Sequence, residues 1–384
     1  MDSERLATLA SEPGAALMSG DGTWCEGAAA VLLQAPTEVM VARVAHEVEG
    51  LLERIEGLRQ EGYWVAGYLA YEAGAAFGLA THPPAGELPL AWMAAYPPEH
   101  VERLPLSALR PGQGPPDLSA TDVELSMTAG QYMAAVARIK KLIAAGDTYQ
   151  VNLTCRARLR GPQDPFGYFL WMVHTHPVPY AAWLNLGDAQ VLSLSPELLL
   201  RRRGGMLLSK PMKGTRPRGR TPDEDEALAR ELVASAKDCA ENLMIVDMVR
   251  NDLGRVCRIG SVEVPELFAA ERYRSVWQMT SSVSGVVREN ASLREVFAAV
   301  FPGASVTGAP KHRTMQIIRE LEPEPRGVYC GAIGLFAPAS VRGADFTCSL
   351  PIRTLVHRAG SYLLGIGAGI VWDSDPARST MRPC

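Results

Sequence analysis

The stretch LSPELLLRRRGGMLLSKPMKGTRPRG, residues 194–219, decides how this chain is read. Apolar runs on either side of Gly204-Gly205 predict two antiparallel strands joined by a tight hairpin, with Gly214 ending the second. If residues 209–215 are extended, the period-2 alternation of a strand puts Ser209, Lys213 and Thr215 on one face. A lysine beside a glycine turn is ordinarily a solvated edge residue, because lysine is almost never fully buried unless paired. Lys213 therefore needs support from the rest of the chain before it counts as chemistry.

Composition excludes several classes. At 384 residues the chain has room for two or three domains, or one large one with an appended piece. With 47% apolar and 21% charged residues it is ordinary globular material. A formal net charge of -4 and a pI near 6.0 provide no basic field for nucleic acid or an anionic membrane. Any anionic ligand must be met by a local cluster of cations. The seven cysteines (25, 155, 239, 257, 330, 348, 384) form no CxxC pair. Their scatter argues against zinc and against a disulfide framework, and suits reduced thiols in a cytoplasmic protein. No His or Asn is recognisably placed to activate one as a nucleophile. The early acids Asp2 and Glu4 do not resemble a secretion signal, and no 18-residue apolar run occurs.

Breakers divide the chain. Residues 41–61 carry helical periodicity (Val44, Val48, Leu51, Leu52, Ile55, Leu58), and YWVAGYLAYEA, 63–73, predicts a buried strand entering a turn. A proline-rich run from Pro84 to Pro116 reads as a surface connection and places the main boundary near residue 120. A helix over 130–145 follows, then the strand YQVNLTCRARL. Thr221-Pro222-Asp223-Glu224 is a helix start, with an N-cap, a proline at the first position and a capping-box glutamate. Residues 237–255 present the stripe Leu243, Val246, Val249, Leu253, with Glu241 off it; that acid would ordinarily partner Lys237 one turn earlier.

FPGASVTGAPK, 301–311, superficially suggests a phosphate loop but lacks the GK[ST] ending, because Gly308 is followed by Ala-Pro. What survives is a tight turn carrying Thr307, then a helix from Pro310 to Leu321 whose N-terminus could receive an anion. The segments 329–336, 346–356 and 362–376 predict three strands. Gly365, Gly367 and Gly369 mark close backbone approach, to a ligand or to another strand.

Taken in order, SPE, PMKGTRPRG, AENLMIVDMVRNDLGRV, FPGASVTGAPK, YCGAIG, IRT and GAGIVWDSDP resemble the chorismate-utilising enzymes over roughly residues 125–376. The resemblance implies an α+β fold (an α/β complex) like that of anthranilate synthase component I. In it, two antiparallel sheets form a core flanked by helices, with the active site in a cleft. The expected organisation is a smaller N-terminal region, 1–120, and a chorismate-binding catalytic region, 121–376.

Within that family the lysine before Gly-Thr is similar to aminodeoxychorismate synthases, whereas anthranilate synthases carry alanine. The resemblance implies that Lys213 adds to C2 of chorismate, displacing the C4 hydroxyl, and that ammonia then attacks C4 and releases the lysine. Such a lysine must be neutral, helped by burial or by cations such as Lys210 and Arg216. Glu197 is implied as the general acid on the departing hydroxyl, and Glu241 as a ligand of Mg²⁺. Thr215, Thr307, Tyr329, Arg353, Gly367, Ala368 and Gly369 are implied as substrate contacts; an arginine can grip a carboxylate bidentately, whereas Tyr329 could equally be plain core. Ammonia would come from a separate glutamine amidotransferase subunit, and neither nucleic acid nor membrane is an expected partner.

Three departures matter. Gln278 stands where many relatives have histidine, and Gln150 where isochorismate and salicylate synthases have a water-activating lysine. Residues 377–384, ARSTMRPC, replace a glutamate-bearing helix that supplies a further magnesium ligand. A frameshift, a cloning junction or an altered terminus is the expectation for that tail. Two alternatives stay open: anthranilate synthase component I, which Lys213 disfavours, and an inactive chorismate-binding protein lacking its last metal ligand.

Overall fold

The computed structural model describes residues 3–21, 24–25, 27–84, 88–112, 123–341 and 345–375. Two large antiparallel sheets, each of ten strands among the described residues, stack face to face; nine of each lie in one order, and Val123–Leu125 and Glu263–Arg272 pair alongside Gln150–Leu159 and Val276–Val286. One runs, in order, through Gly308–Ala309, Gln150–Leu159, Ser361–Ile370, Thr354–Arg358, Ala189–Ser195, Tyr180–Asn185, Ala16–Ser19, Ala30–Leu33 and Val101–Leu104. The other runs through Met212–Pro217, Val276–Val286, Met206–Lys210, Leu198–Arg203, Phe346–Ser349, Ala332–Phe336, Trp64–Leu69, Ala91–Tyr96 and Glu38–Ala42. Between them lies a dry layer in which Met18, Val31, Leu184 and Val191 meet Ala66, Tyr68, Trp92, Ile333 and Leu335.

Helices cover the outer faces. Ala45–Gln60, Ala236–Gly254 and Leu293–Val300 pack on the second sheet around Leu52, Ile55, Val246, Leu253 and Phe297. Pro165–Thr175 covers the first sheet through Phe166, Phe169 and Trp183. Ala129–Ala144 and Lys311–Leu321 lie on its other end. A strand covered on both faces cannot afford alternation; this is why WVAGYL, Trp64–Leu69, is buried at every position.

Strands from either side of residue 120 share both sheets. Ala16–Ser19 pairs with the strand Tyr180–Asn185, and Trp64–Leu69 pairs with Ala332–Phe336. The run Pro84 to Pro116, expected as a surface connection, instead holds the buried strand Ala91–Tyr96 and the strand Val101–Leu104, because its apolar residues pair into the two sheets between the prolines; residues 113–122, at the expected boundary, lie outside the described residues.

Local signals read from the sequence are met closely. The hairpin turns at Gly204 and Gly205, both with positive φ. Thr221 caps Pro222–Ala234, its hydroxyl accepting from the Glu224 amide at 3.3 Å. Two readings shift. Leu243 is exposed, because the helix buries Asn242, Ile245, Val246, Val249, Asp252 and Leu253 instead. Gly214 does not end a strand: Pro211 breaks it, and Met212–Pro217 continues through Gly214 (φ 91°) with a register shift against Val276–Val286. The shift interrupts the alternation that would have put Ser209 on the same face as Lys213 and Thr215.

Candidate active site

Where one end of each sheet meets, a cavity of about 240 Å³ is walled by residues of both. From the first sheet come Asn152, Gly365, Gly367 and Gly369; from the second come Met212, Lys213, Thr215 and Gln278. Glu197, Ser305, Tyr329 and Arg353 close it.

Glu197 is held by its own tripeptide. The Ser195 hydroxyl accepts from the Glu197 amide at 3.1 Å and donates to the Leu350 carbonyl at 2.5 Å, and Pro196 between them has no N–H to satisfy. Its carboxylate accepts a hydrogen bond from the Ser305 hydroxyl at 2.5 Å. Burial pushes its pKa up to about 7, against the opposing pull of Ser305, the Lys213 ammonium and the Met212 amide. A carboxyl so placed can hold a proton near neutrality.

Lys213 reaches the same cavity from Met212–Pro217. Burial among protein atoms lowers its pKa, against the charges of Glu241 and Glu197, which favour the ammonium. The two cations expected to help do not. Lys210 pairs with Glu271, and Arg216 with Glu231 (2.8 Å) and Asp238 (3.0 Å), so their charge is already answered. Desolvation does the lowering.

The glycines of Ser361–Ile370 make room for these groups. A Cβ on Gly369 would sit 3.0 Å from the Lys213 Nζ, and one on Gly365 2.2 Å from the Tyr329 ring. Close approach here is therefore to side chains of the site itself. Tyr329 belongs both to the cavity wall and to the core, with the Arg156 guanidinium 5.4 Å from its ring centre. Its phenol is pushed well up by burial and stays protonated. Arg353 joins the wall with a left-handed backbone (φ 52°), a strained conformation for a side-chain-bearing residue that clusters at functional sites.

Other expected contacts sit elsewhere. Thr307 is fully buried and its hydroxyl donates to the Gly303 carbonyl at 3.1 Å; Ser305 and Val306 of that turn face the cavity instead. Ala368 packs under the sheet against the core of the 129–144 helix, because neighbouring strand residues point oppositely. The N-terminus of Lys311–Leu321 lies on a different cleft. Gln278 accepts a hydrogen bond from the Thr215 hydroxyl at 2.9 Å. Gln150 is fully buried beside Gly369 and Lys213, and neither amide atom has a hydrogen-bond partner. Ser305 joins the site unannounced by the sequence, because nothing in FPGASVTGAPK marks which hydroxyl turns inward.

Glu241 lies off the cavity wall, 4.0 Å from Lys237, with its charge felt by Lys213. Among the described residues no three His, Cys, Asp or Glu side chains cluster as a metal cage. A lone carboxylate still suits Mg²⁺, which keeps several waters and borrows an oxygen from an anionic substrate. Residues 377–384, with the expectation attached to them, lie outside the described residues.

The model of the chorismate binding enzyme family matches residues 9–380. This chain belongs to that family. Members similar to it include aminodeoxychorismate synthase of Streptomyces pristinaespiralis, 47% identical over 67% of this chain and 36% of the relative. Aminodeoxychorismate synthase component 1 of Bacillus subtilis is 43% identical over 65% of this chain and 52% of its own length. Anthranilate synthase component 1 1 of Haloarcula marismortui is 43% identical over 69% and 53%. The chain spans about half the length, or less, of these curated relatives.

Among solved structures, anthranilate synthase component I from Streptococcus pneumoniae superposes with a TM-score of 0.76 at 25% identity, over 91% of this chain and 88% of that one. The menaquinone-specific isochorismate synthase from Escherichia coli shares the fold, with a TM-score of 0.74 at 18% identity over 98% and 88%. The chorismate binding enzyme fold is thus the two-sheet α+β architecture described above. No helix among the described residues is long and apolar enough to cross a membrane.

Proposed function

We propose that this chain aminates chorismate at C4 to give 4-amino-4-deoxychorismate. One observation carries the reading: a lysine pushed toward its neutral form and a glutamate pushed toward its protonated form face the same cavity. The Lys213 Nζ lone pair adds to C2, the double bond migrates, and the C4–O bond breaks as Glu197 protonates the leaving oxygen. Ammonia then attacks C4 and expels Lys213 as a neutral amine, so the product leaves as its ammonium. Arg353 would hold a substrate carboxylate, and Thr215 with Gln278 polar substrate edges; all three line the cavity. Thr307, Ala368 and the glycines act through backbone shape.

Glu241 would hold Mg²⁺, which when bound offsets carboxylate charge on the substrate. Ammonia is supplied by a glutamine amidotransferase partner in this reading. Anthranilate formation is the second reading, supported by the relatives bearing that name and opposed by Lys213.

The test is to incubate the protein with chorismate, ammonium and Mg²⁺ and identify the product by mass. Aminodeoxychorismate from the parent and none from Lys213→Ala is expected; anthranilate from the parent would overturn the proposal. Retention of chorismate without product would make the chain a binding protein.

A further inference from the structure

The reaction proposed above leaves one proton owing at each turnover. Glu197 gives its proton to the departing hydroxyl, Lys213 is expelled neutral and the product departs as an ammonium, so Glu197 ends as a carboxylate. A proton must reach it from solvent. Glu197 is only 4% exposed in all, and the substrate itself would fill the cavity in front of it.

Behind Glu197 lies a second, small cavity of about 20 Å³, lined by Glu197, Ser209, Ser305 and Asp252. That is room for one water with enough polar partners to hold it. Asp252 is bound to Lys311 at 2.6 Å, and the Lys311 ammonium also donates to the Val300 carbonyl at 3.1 Å. The same pair walls an outer cleft of about 250 Å³ together with Asn251, Arg255 and His312. Glu197 thus borders both the substrate cavity and the one-water space, and Asp252 borders both that space and the far cleft. Among Leu199, Val249 and Val300 a buried ion pair is a weak source of stability, since an apolar pair of like volume is often as good. Stability alone does not account for it.

We propose that Asp252 and Lys311 form a proton-return route, passing a proton from the outer cleft through a water in the small cavity to the Glu197 carboxylate while substrate occupies the front. Only O–H and N–H bonds are made and broken along it, and no electrons are transferred. Among the described residues Lys213 acts on Glu197 from the front and Asp252 faces it across the small cavity; the cations acting on Asp252 are Lys311 and Arg255. Burial raises the Asp252 pKa and lowers that of Lys311, which brings the two toward sharing a proton. Both act through Glu197 and are positioning residues for it.

The test rests on the amination reading, so parent turnover of chorismate and ammonia is measured first; its absence sinks that reading. Rapid quench of Asp252→Asn should then show a first turnover at the parent's rate, because Glu197 begins protonated. A steady state about tenfold or more slower should follow, with unchanged KM for chorismate and a larger solvent deuterium effect on kcat. Asp252→Asn/Lys311→Gln, which leaves no lone buried charge, should behave alike. Val249→Ile adds a methylene to the wall of the one-water cavity, leaves the ion pair intact and should show the same burst. First turnover and steady state falling together, or kcat equal to the parent's in the variants that fold, would overturn the route.

Discussion

At the scale of single residues, the proposed chemistry depends on two groups that burial shifts in opposite directions, Glu197 up to about 7 and Lys213 down. Glu197 must be protonated and Lys213 neutral, so activity should fall on both sides of an optimum. The arm above about pH 7 belongs to loss of the Glu197 proton. In a pH profile of kcat/KM, Glu197→Gln should abolish that descending arm along with most of the activity, a loss of about a hundredfold or more. Stability carries the same signature. Because the folded pKa of Glu197 is raised above its unfolded value, its contribution is fully present below about pH 4.5 and is lost as pH rises through about 7. Glu197→Gln should therefore melt higher than the parent at pH 8 and nearly level with it at pH 4.5, a difference of a few kcal/mol at most. Equal shifts at both pH values would mean that Glu197 is not held protonated. Four cysteines are disfavoured as nucleophiles: Cys155, Cys257, Cys330 and Cys348 are buried and their thiols pushed up, away from the reactive thiolate.

At the scale of elements, the strand Ser361–Ile370 is a platform from which side chains have been removed so that others can stand close. Gly365→Ala would drive a methyl into the Tyr329 ring at 2.2 Å. Since both are anchored in the core, the variant should lose about 1–3 kcal/mol by thermal unfolding as well as activity. Gly369→Ala crowds the Lys213 Nζ at 3.0 Å, the far end of a flexible chain, and touches Gln150 at an ordinary 3.5 Å. It should keep its melting temperature and lose kcat, because the nucleophile moves and the sheet does not. A parent-like kcat for Gly369→Ala would place the reacting amine elsewhere. The bulge at Gly214 has a similar purpose: it turns the strand after Pro211 so that Lys213 faces the cavity instead of the small space behind Glu197, where Ser209 lies.

At the scale of the whole molecule, the two halves of the chain are woven together. Removing residues 1–122 would strip Ala16–Ser19 from one sheet and Trp64–Leu69 from the other, exposing Leu184, Val191, Ile333 and Leu335. A fragment of residues 123–384 should accordingly fail to unfold cooperatively in calorimetry and should bind hydrophobic dyes, whereas a sharp transition would mean an independent C-terminal core. The proposed magnesium site is tested at this scale too, since the substrate would be gripped between the sheets. Calorimetric titration should show Mg²⁺ bound more tightly with chorismate present, and Glu241→Gln should remove that coupling.

Much of this was legible in order along the chain. Capped helices, the Gly-Gly hairpin and the runs of β-branched residues are local events, set by backbone sterics and hydrogen bonds within a few residues, so Thr221, Gly204 and the strand Gln150–Leu159 could be read directly. The motif string likewise pointed to Lys213, Glu197 and Arg353, which stand in one cavity. What remained hidden depends on which strands pair across long separations. Thr307 and Ser305 are both hydroxyls in one turn, and only the packing of that turn against the SPE loop decides that Ser305 meets Glu197 while Thr307 closes on Gly303. The charge state of Lys213 is the sharpest case. Its neighbours in sequence, Lys210 and Arg216, seemed the cause of its depressed pKa, yet tertiary pairing neutralises both. The sequence alone determined the local elements and named the groups proposed to react; tertiary structure alone decided which way their pKa values move, because desolvation belongs to the closed space between two sheets and to no segment of the chain.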